Sequence, residues 1–211
     1  MLRHLLFDFG GPVLLSPFEL HDRASERSGI DTDAFARGPF DPSDTSWRRR
    51  VAGEISEREY WSEEAARFDL DVRGYMSLLY EPSGDHLTRP ESCALVEEVL
   101  ASGRKVGLLT NDLTAFHGVE WQEPISVLER FDPIVDLSHS GHLKPDPQAF
   151  DVGIDAMGED PADIVFVDDH VDNARAGAAA GLIAVWFDVT DPADSNRRVR
   201  AALDGAAPSP V

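Results

Sequence analysis

The chain has 211 residues, of which 42% are hydrophobic, and a net charge of −20 from 39 acidic and 19 basic side chains. This is the composition of one globular domain with at most a modest insertion, and the negative excess opposes binding to nucleic-acid phosphates or anionic membranes. A single cysteine, Cys93, excludes an internal disulfide and CxxC zinc sites, and no apolar run approaches the roughly 18 residues of a membrane span.

Residues 3–7 (RHLLF) form a short apolar run ending at Asp8 and Gly10-Gly11, which predicts a buried strand and a tight loop. The charge of Asp8 within the apolar start argues against a signal peptide, and the protein is expected to be cytoplasmic. Residues 17–81 change character, with amphipathic helical patterns over 18–28, 42–52, 56–68 and 73–80; Ser56 and Glu59 make a capping box. A helix over 91–102 closes at Gly103, and KVGLLT (105–110) is a strand. Helical stretches follow at 113–117 and 120–130, then a short strand at 134–137. Asp146-Pro147 opens a helix to about 157. DIVFVDD (163–169) is a strand, 171–180 an Ala-rich helix ended by Gly181, and LIAVWF (182–187) the last strand.

Alternating strands and helices predict an α/β fold, a doubly wound, Rossmann-like parallel sheet. The helical block after the first strand reads as a small α-helical cap over the carboxyl edge of the sheet. The expected division is a core of 1–15 and 86–204, a cap of 16–85 and a disordered tail of 205–211.

In such a sheet ligands bind at the carboxyl ends of the strands. Asp8, Thr110-Asn111 and Asp168-Asp169 all fall at predicted strand ends, and Lys144 precedes a helix-opening loop. Each alone reads as a turn former, a cap or a solvated charge; the joint pattern at one edge is harder to dismiss. Up to three carboxylates in one cleft repel unless neutralised, and Mg²⁺ prefers carboxylate oxygens. Only two of the basic residues are lysines, Lys105 and Lys144. The compact ammonium of Lys144 can bridge a carboxylate and a phosphoryl oxygen, with Thr110 and Asn111 binding further oxygens and Asp8 acting as in-line nucleophile.

The segments LLFDFGGPVL, VGLLTND, GHLKPDPQAF and IVFVDDHVDNARAGAAAG, in this order over residues 4–181, resemble the four signatures of the haloacid dehalogenase-like hydrolase superfamily. GEISEREYW (53–61) is similar to the branch with a helical cap after the first strand. The resemblance implies Asp8 as nucleophile, Thr110 and Lys144 as its catalytic partners, and Phe9, Gly10, Thr110, Asn111 and Lys144 as substrate contacts. It also implies Mg²⁺ held by Asp8, the Gly10 carbonyl and Asp169, with Asp168 beside it. Asn173 stands where many relatives carry a further acid.

One position departs from the pattern. Phosphatases of this superfamily commonly carry a second Asp two residues after the nucleophile, as general acid/base; here Gly10 stands there. A positive φ at Gly10 would explain glycine at that position. His170, Glu54 and His21 are the alternative bases. The leading expectation is a Mg²⁺-dependent phosphatase of a small phosphorylated metabolite. The alternatives are a dehalogenase-type hydrolase and a catalytically weak phosphate- or partner-binding protein. Trp47, Tyr60, Trp61, Tyr75 and Tyr80 read as cap core, and Arg48–Arg50 as a solvated helix face. Oligomeric state is not legible.

Overall fold

The computed structural model describes residues 2–207. Their contacts divide the chain into two compact units. One comprises Met1–Leu15, Gly84–Thr114 and Gly118–Val211; the other comprises Ser16–Ser83 and Ala115–His117. In chain order the elements are β1 (His4–Phe7), four helices α1 (His21–Ser28), α2 (Thr45–Val51), α3 (Glu57–Ala66) and α4 (Val72–Tyr80), then α5 (Pro90–Ala101), β2 (Val106–Thr110) and α6 (Leu113–His117). There follow β3 (Ile134–Asp136), α7 (Pro147–Met157), β4 (Ile164–Asp168), α8 (Val171–Ala179), β5 (Ile183–Trp186) and α9 (Pro192–Leu203).

The five strands form one all-parallel sheet of order β3-β2-β1-β4-β5, so the fold is α/β and Rossmann-like. β1 lies at its centre, with Leu6 opposite Gly107 on one side and Phe166 on the other. Its four residues are all buried, as are those of β2 and β4; such strands read as continuous apolar runs without alternation. Leu6, Leu109, Ile164 and Phe166 face α7 and α8, where Phe150 meets Phe166 edge to face at 5.4 Å. Each fully buried side chain of this size stabilises by about 1.5–3 kcal/mol. α5 and α9 pack on each other and on β2, β4 and β5.

The helical unit has its own aromatic core. Phe18 touches Trp47, Tyr60 and Trp61, and Tyr60, Trp61 and Tyr75 are almost wholly buried. Three of its helices, α2, α3 and α4, start on side-chain caps: Asp44 accepts from Trp47 N–H, Ser56 and Glu59 form the expected capping box, and Asp71 accepts from Gly74 N–H.

Several elements differ from the sequence expectations. The expected 120–130 helix is two 3-10 turns, Glu120–Gln122 and Ser126–Arg130, because Pro124 between them removes a donor and restricts Glu123. The strand expected over 134–137 stops at Asp136, whose carboxylate accepts from Ser138 N–H and starts a turn at Leu137. α9 was not expected at all. Of the expected tail, 208–211 lie outside the described residues, while Gly205 and Ala206 donate back to Ala202 and Ala201.

Helix α8 approaches the sheet closely because Gly177 lacks a side chain. A Cβ there would stand 2.6 Å from Phe166 Cδ1. Alanine gains about 1 kcal/mol in helix propensity, but overpacking a close-fitted core costs about 1–3 kcal/mol. Gly177→Ala is therefore predicted to lower stability by up to about 2 kcal/mol in chemical denaturation. A stabilised variant would show that this contact relaxes freely.

Candidate active site

The carboxyl ends of β1, β2 and β4 bring Asp8, Thr110 and Asp168 to one edge of the sheet. The Asp8 N–H donates to the Val167 carbonyl at 2.7 Å and so carries the ladder one residue past β1. Lys144 reaches the same point from the loop before α7. Its Nζ lies 2.9 Å from Asp8 Oδ1 and 2.7 Å from Asp168 Oδ2, with the side chain only 1% exposed. Burial disfavours the ammonium, but Asp168 and Asp8 outweigh it and hold its pKa above the ordinary lysine value.

Two side chains fix Lys144 and its partner. Asn111 grips the Lys144 backbone from both sides, donating to its carbonyl at 3.0 Å and accepting from its N–H at 2.8 Å. The Asn111 amide, expected as a substrate contact, is thus engaged with the chain itself. Asp168 is fully buried, and its oxygens accept from Lys144, from the His170 N–H at 2.8 Å and from the Asn173 amide at 3.1 and 3.2 Å. A buried charge is tolerable only when hydrogen-bonded in this way. Asn173 meets that need here, at the position where a further acid was considered.

Asp8, Asp168 and Asp169 each offer a carboxylate oxygen within 4.8 Å of the others. One ammonium offsets only one of these charges. Burial, chiefly, pushes the Asp8 carboxyl up to about 7; Lys144 opposes the rise, and Asp168 and Asp169 add to it. A hard divalent cation fits this cluster, because it supplies the missing positive charge to oxygen donors.

The loop after β1 has two glycines with different tasks. Gly11 has φ +82, and a Cβ there would lie 2.5 Å from Asp169 Cγ; only glycine permits that approach. Gly10 is not among the positive-φ residues, and a Cβ on it would meet only Asp8 Oδ2, at 3.9 Å. The backbone reason considered for glycine at position 10 therefore belongs to position 11. The Gly11 carbonyl accepts from Arg89 Nε at 2.5 Å, and Arg89 is 3% exposed. Nothing local in the sequence marks Arg89, which lies 78 residues away and precedes the Pro90 of α5.

Of the remaining expected residues, Thr110 is buried at the end of β2. Phe9 puts its side chain in the core, and its carbonyl accepts from the Val13 and Leu14 N–H groups. His170 follows Asp169, with Nε2 3.8 Å from Asp169 Oδ1. His21 and Glu54 belong to the helical unit.

Comparison with known proteins gives a consistent picture. A family model described as haloacid dehalogenase-like hydrolase matches residues 2–181. Acyl-CoA dehydrogenase family member 10 of Mus musculus is 27% identical over 202 residues, covering 88% of this chain but 18% of its own length. Phosphatase MT3486 of Mycobacterium tuberculosis is 27% identical over 124 residues, covering 56% of this chain and 57% of its own length. The chain thus spans less than two thirds of either relative. Among solved structures, the putative HAD-hydrolase YfnB from Bacillus subtilis, bound to magnesium, aligns with TM-score 0.67 at 19% identity, over 88% of this chain and 86% of that one. An L-2-haloacid dehalogenase aligns with TM-score 0.63 at 20% identity, over 89% and 86%. Both likenesses are of fold. No described helix is long and apolar enough to cross a membrane.

The Lys144 bridge yields a stability prediction. Lys144→Met removes the cation between two buried carboxylates, and breaking a buried pair from one side costs about 3–5 kcal/mol. A loss of that size is expected in urea denaturation. A loss below about 1 kcal/mol would mean that the bridge contributes little to holding the strand ends together.

Proposed function

Because the chain belongs to the haloacid dehalogenase-like hydrolase family, we propose that this hydrolase is a Mg²⁺-dependent phosphatase of small phosphorylated metabolites, working through an aspartyl-phosphate on Asp8. The observation that carries this reading is the cluster of Asp8, Asp168 and Asp169 around a single ammonium. Displacement of halide by Asp8 needs no cation and has no use for a cluster of three carboxylates, which disfavours the dehalogenase reading. The restriction to small substrates rests on reading residues 16–85 as a cap.

We assign the metal to Asp8, Asp169 and the Gly10 carbonyl; Asp168 stands behind them, because its oxygens are engaged by Lys144, His170 N–H and Asn173. When bound, Mg²⁺ supplies charge neutralisation that lets a dianionic phosphate approach an aspartate. Asp8 then attacks phosphorus, and the bond from phosphorus to the ester oxygen breaks. Lys144 and Thr110 hold the non-bridging phosphoryl oxygens, and Lys144 keeps one Asp8 oxygen fixed so that the other points to the substrate. Water next attacks the phosphorus of the acyl phosphate, releasing inorganic phosphate and restoring Asp8. Both the leaving oxygen and the attacking water need a proton partner, and Gly10 offers no side chain for it.

This reading predicts that hydrolysis of p-nitrophenyl phosphate stops in chelator and shows a pre-steady-state burst, since that ester needs little leaving-group protonation while the second step lacks a base. Gly10→Asp is sterically open, with 3.9 Å to the nearest atom. It is expected to raise the steady-state rate by up to roughly 10²-fold and to abolish the burst, within the usual range for general acid/base catalysis. Full turnover in chelator would overturn the phosphatase reading. A folded Gly10→Asp with unchanged rate, beside a wild type without a burst, would show that another residue already serves as the base.

A further inference from the structure

Asp169 is the carboxylate of the cluster whose backbone lies beyond the end of β4. The β4–β5 ladder reaches the Phe187 N–H, which donates to the Asp168 carbonyl at 2.8 Å. The next carbonyl, that of Asp169, accepts instead from a side chain: the indole Nε1–H of Trp186, at 2.8 Å. Trp186 ends β5 in register with Asp168, and its side chain remains partly exposed at the carboxyl edge of the sheet. It is held from α9. Arg198 donates to the Trp186 carbonyl at 3.0 Å and places its guanidinium 6.0 Å from the indole centroid, and that guanidinium is itself tied to Asp194 and Ser195, at 3.0 Å each. On its other side the Asp169 carboxylate packs against the bare Cα of Gly11.

We propose that Trp186 is a positioning residue for the metal: its indole N–H locks the Asp169 peptide, so that the carboxylate keeps its place against Gly11 and beside Asp8. The inference rests on the reading of Asp169 as a metal ligand. Outer partners of this kind orient a ligand before the ion arrives, and their loss typically weakens metal binding by about 10–100-fold. The same hydrogen bond makes the Trp186 indole a spectroscopic reporter of metal binding.

Trp186→Phe keeps a ring beneath Arg198 and deletes the N–H. Calorimetric titration with Mg²⁺ alone is expected to give a dissociation constant at least about 10-fold higher in the variant. The kcat at saturating Mg²⁺ is expected to return close to the wild-type value, which a general loss of structure would not allow. A second reading needs no variant: in assigned ¹H–¹⁵N spectra of the wild type, the Trp186 indole resonance shifts on Mg²⁺ addition. Equal dissociation constants in a folded variant, or an indole resonance that Mg²⁺ leaves unmoved, would overturn the positioning role while leaving the metal site intact. A wild type that binds no Mg²⁺ would overturn the metal reading itself, and this inference with it.

Discussion

The site depends on one ammonium shared by two buried carboxylates. Lys144 lies within 3 Å of both Asp8 and Asp168, and buried carboxylates are tolerable only with partners of this kind. The architecture around it serves this contact. β1 and β4 are neighbours in the sheet, which brings the two aspartates side by side. Asn111, at the end of β2, aligns the Lys144 backbone; Asn173 and the His170 N–H satisfy the rest of Asp168. A planar guanidinium could not place one point charge between the two carboxylates as the ammonium does, and the ammonium also lies 5.5 Å from the Phe166 ring centroid. This accounts for a lysine at 144 in a chain that otherwise uses arginine almost throughout.

Charge balance, rather than the nucleophile alone, separates the two chemistries available to the family. Asp8 could attack carbon or phosphorus. Asp168 is engaged with Lys144, and the proposed reading gives Asp169, the third carboxylate, a use where positive charge exceeds that of Lys144. In the proposed phosphatase reaction, the glycine at position 10 would set the rate rather than the reaction, because it withholds the proton carrier and leaves Asp8, Thr110 and Lys144 in place. The conformation of the loop turns on Gly11, where a side chain would collide with Asp169, so position 10 is open to a side chain in the backbone observed.

Much of this was legible in the sequence because fully buried parallel strands write themselves as apolar runs. LLF runs directly into Asp8, and VGLLT and IVFVD end in Thr110 and Asp168, the polar residues that reach the sheet edge. Less was legible where long-range geometry decides. Asn111 reads as a substrate contact from its place after Thr110, while its hold on the Lys144 backbone, 33 residues away, has no local signal. Arg89 and Trp186 carry no local signature for the Gly11 and Asp169 carbonyls they meet. α9 escaped notice because its buried face is thin in large apolar residues, chiefly Val199 and Leu203, although Asp191-Pro192 is a sound start signal. Over 120–130 the helical periodicity is overridden by Pro124, which leaves two 3-10 turns.

The central claim is that Asp8 carries the phosphoryl group. It is tested most directly by mixing the enzyme with p-nitrophenyl phosphate and Mg²⁺, quenching in acid within the first turnover and mapping the modified peptide by mass spectrometry. The account predicts one hydroxylamine-labile phosphoryl group on the peptide containing Asp8, absent in Asp8→Asn. A phosphoryl group on any other residue, or turnover that persists in Asp8→Asn, would contradict it.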